Sequence, residues 1–525
     1  MNYKPTIGLE IHAELKTRTK MFCDSLNDPD EKHPNTNICP ICMGFPGVLP
    51  VINEEAIKKT ILVGFALNCE IAKQTNFDRK NYFYPDLPKG YQISQYKRPL
   101  CANGWLEISD KSLKTNDQGQ NNQSISLSTL DFKRIRITRI HLEEDAGRLQ
   151  HDSKGDHSLV DFNRAGVPLM ELVTEPDLNS AEEVKEFAEK LRLILRYLGV
   201  SDANMEKGQY RIEVNISLRP EVLSSKSQVI KLGTKVEIKN LNSIRAAAQS
   251  VEYEIKRQTE LLEEGKEVKQ ETRGWDEAGQ KTFSQRSKEE AHDYRYFPEP
   301  DLPVLNFDEK YLEDIKYLMP ELPEGRKIRF KKQYGLNDSQ IEIFTIAKHL
   351  GDYYERVATE LDVAAKVIHQ NQNEKTEAHL PAKLHTLSAN YIITEFPSLM
   401  SAKGLEVDEL EGFKISPEAF AELMVLIFHE KLSSTGAKAV LKEMAETGLH
   451  PEAIMKEKNL GQVSDTGELQ KAVEEVVAKN PKAVEDYKKG KTESLKFLVG
   501  QVMAATKGKA NPQVVQEILT ELFGL

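Results

Sequence analysis

The 525-residue sequence lacks the features that most quickly assign a chain to a membrane or secreted class. No stretch approaches the roughly 18 uninterrupted apolar residues of a membrane-spanning helix. The N-terminal segment Met1–His12 carries neither the basic nor the apolar part of a secretory signal peptide. Five cysteines are few for this length and odd in number, which argues against a disulfide scaffold. These absences predict a cytoplasmic protein that does not enter a membrane.

Recognisable nucleotide-binding motifs are also missing. The sequence has no Walker A motif, no set of kinase loops and no dinucleotide-binding glycine fingerprint, so any ATP site must be of another design. None of the cysteines lies in a glutaminase-like motif, which disfavours a free-standing glutaminase. The net charge of −11 argues against a general nucleic-acid coat, although it is compatible with a local basic patch.

Length and pattern predict three domains, because 525 residues exceed what one core usually holds. Period-two polarity predicts strands at Thr6–Leu15, Arg134–Leu142, Tyr210–Leu218 and Lys235–Leu241. Helices are predicted from Ser180 to about Gly199 and from about Ser243 to about Gly265. The Pro-rich segment Phe297–Pro303 ends this pattern. We therefore predict an α+β domain over 1–297, a helical domain over 298–405 and a small helical tail over 406–525.

Charged residues share strand faces in the first domain, because side chains at i, i+2 and i+4 of a strand point the same way. The four sets are Glu10 with His12; His141, Glu143 and Asp145; Arg211, Glu213 and Asn215; and Lys235, Glu237 and Lys239. A solvated face held by salt bridges is one interpretation of this alternation. A functional cradle is the other, since four such faces in one domain are poor candidates for burial by apolar packing.

Metal-assisted phosphoryl transfer is the chemistry that suits a cradle of this kind. Mg²⁺ takes hard oxygen ligands and keeps several waters, so a few separated carboxylates together with substrate phosphates suffice to hold it. The neighbouring cations would balance charge on the transferred group. A site lined by carboxylates can accept a further anion only if those carboxylates bind Mg²⁺.

The loop Phe77–Gln95 combines cations with aromatic side chains. It places Arg79, Lys80 and Lys89 among three tyrosines, one of them Tyr82, and two prolines. Interleaved aromatic and cationic side chains suit RNA ends, where bases stack and phosphates pair. A packed, tyrosine-rich surface is the alternative interpretation.

Three cysteines near the N-terminus have part of a zinc-binding pattern: Cys23, Cys39 and Cys42. The last two have the spacing of half a zinc knuckle, but a structural zinc site normally has four N or S ligands. Ser25 stands where a fourth cysteine would form a Cys-x-Cys pair, and His33 or Asp24 would have to replace it at a non-standard spacing. The sequence therefore leaves zinc binding open.

Nine segments, in collinear order over essentially the whole chain, form one further pattern. They are Ile7–His12, Pro46–Pro50, Phe77–Gln95, His141–Gly147, Asn215–Pro220, Glu237–Ser243, Asp293–Asp301, Phe497–Met503 and Lys507–Pro512. Together they resemble the B subunit of the aspartyl/glutamyl-tRNA amidotransferase, the GatB family. Each segment alone is weak, whereas the set is highly specific.

The resemblance implies a fold and a mechanism. The fold is a glutamine-synthetase-like antiparallel-sheet cradle, followed by a helical domain and a YqeY-like helical tail. In the mechanism, ATP phosphorylates the side-chain carboxylate of Glu-tRNA(Gln) or Asp-tRNA(Asn), and ammonia then displaces phosphate. Ammonia reaches this site through a channel from the amidase, or A, subunit. The small C subunit completes a heterotrimer that acts on misacylated tRNA.

The resemblance also implies roles for single residues. The expected catalytic residues are Glu10, His12, Glu143 and Glu213, and the expected Mg²⁺ ligands are Glu10, His12, Glu143 and Glu237. Lys80, Tyr82 and Lys89 are expected to line the channel or the pocket for the acceptor end of tRNA. Glu213 departs from the many family members that have Asp there, and Ser25 departs from the zinc-bearing members.

A lysine-rich stretch lies in the predicted tail. Lys479–Lys509 contains eight lysines and three acidic residues, a local charge of +5 on an acidic protein. The resemblance implies that this tail binds the body of tRNA, and the candidate contacts are Lys488, Lys489, Lys491, Lys496, Lys507 and Lys509. A solvated helix surface is the alternative. At the level of the whole chain, the alternative to a catalytic role is that of a non-catalytic tRNA-binding adaptor.

Overall fold

The structure is a computed structural model in which the chain forms two compact units, Met1–Pro323 and Glu324–Leu525. It describes residues 3–109, 132–152, 156–220, 232–287, 294–371, 380–405, 410, 412–458, 460, 466–488, 491, 493–506, 510 and 512–523. No helix within these ranges is both long enough and apolar enough to cross a bilayer.

The first unit is mixed α/β. Its helices are α1 (Glu54–Ala66), α2 (Ala181–Tyr197), α3 (Ile244–Glu263) and α4 (Glu309–Tyr317). Its strands are β1 (Tyr3–Glu14), β2 (Glu70–Ile71), β3 (Gln74–Thr75), β4 (Asp78–Asn81), β5 (Tyr91–Ser94), β6 (Cys101–Ser109), β7 (Phe132–Glu144), β8 (Arg148–His151), β9 (Ser158–Asp161), β10 (Pro168–Thr174), β11 (Tyr210–Pro220), β12 (Val236–Leu241), β13 (Glu271–Asp276), β14 (Lys281–Ser287), β15 (Phe297–Pro298) and β16 (Leu305–Asn306).

A nine-stranded sheet organises this unit, in the order β14-β13-β12-β11-β1-β10-β7-β6-β2. Neighbouring strands are antiparallel except β12 and β13, which run parallel. A smaller sheet, β15-β4-β5, carries the predicted aromatic and cationic loop. All four strands predicted from period-two polarity are present, as β1, β7, β11 and β12.

The two faces of the large sheet differ in chemistry because the side chains alternate. On β1, Ile7, Leu9 and Ile11 are at most 1% exposed and belong to the core. That core includes residues of α1, α2 and α3, which lie against this apolar face. Glu10 and His12 point the other way. We call this opposite face, with its charged side chains, the site face.

The helices begin where their capping residues predict. Ser180 caps α2 by accepting a hydrogen bond from the backbone N–H of Glu183, and Ser243 caps α3 in the same way from Ala246. α2 buries Val184, Phe187 and Leu191 on one side, as the spacing of its apolar residues requires. Both predicted helices are therefore confirmed.

The second unit is helical throughout its described residues. Its helices are α5 (Pro323–Tyr334), α6 (Asp338–Ile346), α7 (Lys348–Asn371), α8 (Leu380–Ser401), α9 (Pro417–Phe428), α10 (Ser434–Thr447), α11 (Pro451–Lys458), α12 (Thr466–Lys479), α13 (Pro481–Lys488), α14 (Glu493–Ala505) and α15 (Pro512–Phe523). One apolar cluster extends from Phe330 to Ile454 and a separate, smaller one from Leu469 to Leu519. The three-domain division at 297 and 405 stays a prediction.

Candidate active site

Four central strands of the large sheet bring four polar side chains into one row across the site face. The Cα partner of His12 on β1 is Arg211 of β11 on one side and Glu171 of β10 on the other. Glu171 in turn pairs with His141 of β7. Side chains of directly paired residues on one face lie about 5 Å apart at Cβ. The order Arg211, His12, Glu171, His141 is therefore a consequence of strand register, and we call it the central row.

His12 lies among carboxylates. Its Nε2 is 3.4 Å from Glu171 Oε2 and 3.8 Å from both Glu10 Oε1 and Glu143 Oε1. His141 Nε2 is 3.5 Å from Glu171 Oε2 and 3.9 Å from Glu143 Oε2. Glu143 and Glu171 are buried, and Glu10 is half-buried. The structure thus brings together Glu10, His12 and Glu143, with Glu213 beside Glu10 and His12, so that all four predicted catalytic residues meet, and it adds Glu171, which the sequence did not single out.

Electrostatic coupling within this cluster shifts several pKa values. Burial opposes the charge on His12, but its hydrogen bond to Glu171 and the charges of Glu171 and Glu143 raise its pKa to about 9. Burial, together with Glu171 and Glu213, raises the pKa of Glu10 to about 7. Burial also lowers the pKa of His141. At neutral pH His12 is therefore the charged histidine of the pair, and Glu10 is partly protonated.

Two lysines supply positive charge at the edges of the cluster. Lys80 Nζ lies 4.0 Å from Glu143 Oε2, and Lys239 Nζ lies 2.8 Å from Glu213 Oε2 and 3.8 Å from Glu237 Oε1. Although burial opposes their charge, the neighbouring carboxylates raise the pKa of both lysines above its ordinary value. Both side chains therefore remain cationic beside the carboxylates.

The two lysines of the Phe77–Gln95 loop have different partners. Lys80 faces the carboxylate cluster, whereas Lys89 forms an ion pair with Glu144, which follows Glu143 on β7. Tyr82 packs edge-on against Tyr294, with ring centroids 5.8 Å apart. Lys80 Nζ lies 5.2 Å from the centre of the same Tyr294 ring. The loop therefore gives the cluster one cation and an aromatic border, and the predicted substrate role of Lys80, Tyr82 and Lys89 stays a prediction.

The donor atoms fit a divalent metal ion. Two overlapping sets place their donor atoms within 4.8 Å of one another, namely Glu10, His12 and Glu213, and His12, Glu143 and Glu171. Carboxylate oxygens are the hard ligands that Mg²⁺ prefers, and His12 must lose its proton before its nitrogen can bind. Glu237 is in neither of these sets; its Oε2 accepts a hydrogen bond of 2.8 Å from Thr272.

The three cysteines form a second cluster, with sulfur atoms within 4.8 Å of one another and all thiols free. The Ser25 hydroxyl and the Lys20 ammonium each lie 3.9 Å from Cys42 Sγ. A hydrogen bond from Cys23 lowers the pKa of Cys42 to about 5, against the effect of burial. His33 pairs with Glu31 at 3.0 Å. Among the described residues the cluster thus offers three of the four ligands of a zinc site.

The predicted tRNA-binding lysines are described only in part. Lys488, Lys491 and Lys496 are exposed, on or beside α13 and α14. Lys491 pairs with Asp486 at 3.1 Å. The other three candidates, Lys489, Lys507 and Lys509, lie outside the described residues.

Comparison with known proteins decides the family. A model of the GatB/GatE catalytic domain matches residues 5–313, and a model of the GatB domain matches residues 374–523. The chain belongs to the GatB family. Proteins named as the B subunit of aspartyl/glutamyl-tRNA(Asn/Gln) amidotransferase are 48% identical in Caldicellulosiruptor saccharolyticus, 47% in Carboxydothermus hydrogenoformans and 45% in Dehalococcoides mccartyi. Each match covers 98% or 99% of both chains.

For this GatB family member, the residue that sequence reasoning missed is Glu171. It is the one charged residue of β10, Pro168–Thr174, in which Met170 and Leu172 face the core. A lone carboxylate inside an apolar strand of this length is costly unless it is paired, and that signal was available in the sequence. Period-two polarity did not reveal it because Leu169 and Val173, its neighbours on the same face, are also apolar.

Proposed function

We propose that this chain is the B subunit of an aspartyl/glutamyl-tRNA(Asn/Gln) amidotransferase and that its central row and adjoining carboxylates activate the aminoacyl group with ATP. The observation that carries the proposal is the placement of Glu10, His12, Glu143 and Glu171 on one sheet face. Lys80 supplies positive charge at the edge of this group of side chains. A solvated face with salt bridges would not bury Glu143 and Glu171 around two histidines.

The reaction has two steps. An oxygen of the aminoacyl side-chain carboxylate attacks the γ-phosphorus of ATP, the bond from phosphorus to the bridging oxygen breaks, and ADP leaves with that electron pair. Ammonia then attacks the acyl phosphate carbon, phosphate leaves with the C–O electron pair, and nitrogen gives up one proton. Phosphorylation is needed because a carboxylate oxygen is otherwise a very poor leaving group.

The chain's own residues supply binding and charge for these steps. Glu10, Glu143, Glu171 and Glu213 would hold Mg²⁺, with neutral His12 as a nitrogen ligand. Bound Mg²⁺ would offset negative charge on the phosphates. Lys80 lies where it would offset charge on the reacting carboxylate. A cation in a water-poor site is worth more than one in bulk water, because the local dielectric is lower.

The acceptor end of tRNA would reach the cluster over the aromatic border. Tyr294 packs on Tyr82 and on Tyr296, and Tyr296 stacks on Tyr96 with ring centroids 4.2 Å apart. Tyr96 is 56% exposed, so its outer face is open to a ligand. Unpaired bases at RNA ends stack on such rings and tolerate any base identity. We propose that Lys80, Tyr82 and Lys89 border this approach and the ammonia channel.

The remaining parts of the proposal concern the assembly. Ammonia would come from the amidase (A) subunit, the small C subunit would complete the heterotrimer, and the complex would act in the cytoplasm. The antiparallel part of the large sheet would be the glutamine-synthetase-like cradle. The YqeY-like tail would bind the body of tRNA through its lysines. Zinc at the three cysteines would need a fourth ligand from outside the cluster.

Substitution of Glu143 tests the catalytic part. In the reconstituted complex, Glu143→Gln removes one buried carboxylate while keeping its shape. We expect phosphorylation of Glu-tRNA from γ-labelled ATP to slow by at least about 100-fold, the effect typical of losing one transition-state electrostatic contact. Binding of tRNA should change little. Glu70→Gln, on the exposed edge strand β2, is the matched control and should behave as wild type.

A non-catalytic adaptor role predicts the opposite result for Glu143→Gln. If Glu143→Gln phosphorylates Glu-tRNA at the wild-type rate, the carboxylates serve structure alone and the chain is a tRNA-binding adaptor. Measuring the melting temperature of both variants separates loss of chemistry from loss of fold. A Glu143→Gln complex that melts like wild type yet does not phosphorylate supports the catalytic proposal.

A further inference from the structure

The end of the central row is occupied by an arginine that the proposed metal site does not use. Arg211 follows Tyr210 at the start of β11, two residues before Glu213, and its Cα partner is His12. Its side chain therefore lies on the site face, next to the carboxylate cluster. Although burial opposes its charge, the Asp145 carboxylate raises the pKa of the Arg211 guanidinium above its ordinary value.

A single carboxylate orients this arginine and a second one. Arg211 Nη2 donates to Asp145 Oδ2 at 2.6 Å, and Arg164 Nε lies 3.6 Å from the same oxygen. Arg164 is also fixed by the backbone oxygens of Ala146 and Gly147, at 3.1 and 2.8 Å. Asp145 is buried, so it holds both guanidinium groups in fixed positions.

The local charge balance favours an anion. Arg211 and Arg164 share one carboxylate, because Asp145 Oδ2 lies 2.6 Å from Arg211 Nη2 and 3.6 Å from Arg164 Nε. Two guanidinium groups beside one carboxylate leave positive charge for a further anion.

The arginines also have donors left over. Arg211 Nε is buried without a hydrogen-bond partner among the described residues. The side chains of Arg211 and Arg164 are nevertheless 34% and 32% exposed, so a ligand can reach both. A buried N–H without a partner costs free energy, and a ligand oxygen would satisfy it.

We propose that Arg211 and Arg164 form the phosphate-binding part of the ATP site, with Asp145 as the residue that positions them. This inference rests on the proposed function and adds the residues that hold the nucleotide. Guanidinium groups bind phosphate oxygens in pairs, with a geometry that lysine cannot reproduce. In phosphoryl transfer, charge grows on the oxygens around the transferred phosphorus and on the leaving diphosphate, so cations placed there speed the reaction.

Arg211→Lys tests this assignment because it keeps the charge and removes the paired donors. In the reconstituted complex we expect the KM for ATP to rise about tenfold, and the KM for Glu-tRNA to stay within about twofold of wild type. Arg136→Lys is the control, since Arg136 also bonds a carboxylate, that of Asp177, but on an exposed part of the sheet. It should leave both constants unchanged.

Three outcomes would overturn the assignment. An unchanged KM for ATP with a lower melting temperature would make Arg211 only a partner of buried Asp145. A raised KM for Glu-tRNA with an unchanged KM for ATP would assign the arginines to tRNA phosphates. The double variant Arg211→Met/Asp145→Asn, which removes both partners of the closest ion pair together, must likewise bind ATP weakly. Wild-type affinity in that variant contradicts the proposal.

The two substitutions distinguish failure of the phosphate assignment from failure of the proposed function. If Glu143→Gln abolishes phosphorylation while Arg211→Lys leaves the KM for ATP unchanged, the active site stands and the phosphate assignment falls. If wild-type complex does not phosphorylate Glu-tRNA from ATP, both fall together.

Discussion

Glu171 is the residue on which the two histidines of the central row converge. It lies 3.4 Å from His12 and 3.5 Å from His141, and it is the main reason that the pKa of His12 reaches about 9 despite burial. A raised histidine pKa stabilises the folded state below the unfolded value of 6.5. That contribution is lost as pH rises through 9. In metal-free protein, the first unit should therefore lose stability between pH 6.5 and 9.

Glu171→Gln should reduce this pH dependence, because His12 loses both its hydrogen bond and the nearest charge. The measurement is urea unfolding at several pH values, followed by tryptophan fluorescence. Both tryptophans of the chain, Trp105 and Trp275, belong to the first unit. A Glu171→Gln variant with the same loss of stability from pH 6.5 to 9 as wild type would show that His12 is not responsible. Glu70→Gln again serves as the control.

Local sequence patterns predicted the strands and helices more reliably than they predicted the contacts between these elements. Alternation predicted four strands of the large sheet, and Ser180 and Ser243 predicted where two helices begin, because both signals act within a few residues. The short strands β2 to β5 and the parallel pairing of β12 with β13 were not predicted, since strand order depends on long-range packing.

The candidate site shows the same limit. Shared strand faces correctly placed Glu10 beside His12. Nothing in the local sequence shows that His12 pairs with Glu171, which lies 159 residues further along the chain. The sequence also could not distinguish Lys80 from Lys89, which lie in one loop yet contact the adjacent residues Glu143 and Glu144. Adjacent residues of a strand face opposite ways, so the partner of each lysine depends on how the loop folds over β7.

The β13–β14 hairpin is attached to α3 through a buried ionic network. Glu254 of α3 is fully buried; it accepts a hydrogen bond from Arg257 at 2.8 Å and pairs with Arg273 of β13 at 3.2 Å. Thr282 of β14 also donates to it at 2.5 Å. This hairpin borders β12, which carries Glu237 and Lys239. The network thus supports one edge of the candidate site.

Glu254→Gln should destabilise the first unit by about 3 kcal/mol, because two arginines lose the buried charge that compensates them. Trp275 fluorescence during urea unfolding reports on this hairpin. Glu252→Gln, an exposed position on the same helix, should change stability by less than about 0.5 kcal/mol. Equal stability of the two variants would mean that the network does not hold the hairpin.

At the scale of the whole molecule, the C-terminal helices α12–α15 have an apolar core of their own. The predicted boundary after residue 405 lies within a continuous apolar cluster that includes Phe396 and Phe420. The smaller cluster from Leu469 to Leu519 belongs to α12–α15 alone. Removal of the chain after residue 460 should therefore leave the sheet site intact and weaken tRNA binding by at least about tenfold. Filter binding at physiological salt measures this, and unchanged affinity would contradict a tRNA role for these helices.

The dependence of tRNA affinity on salt distinguishes a phosphate contact from a solvated helix surface. Each phosphate neutralised by a lysine adds about 0.7 to 0.9 to the slope of log affinity against log salt. Lys488→Gln/Lys496→Gln should therefore reduce this slope by about 1.4 to 1.8. Lys491→Gln should reduce it less, because Asp486 already lies 3.1 Å from that ammonium group. Equal slopes for wild type and the double variant would mean that these lysines face solvent, with tRNA bound elsewhere in the complex.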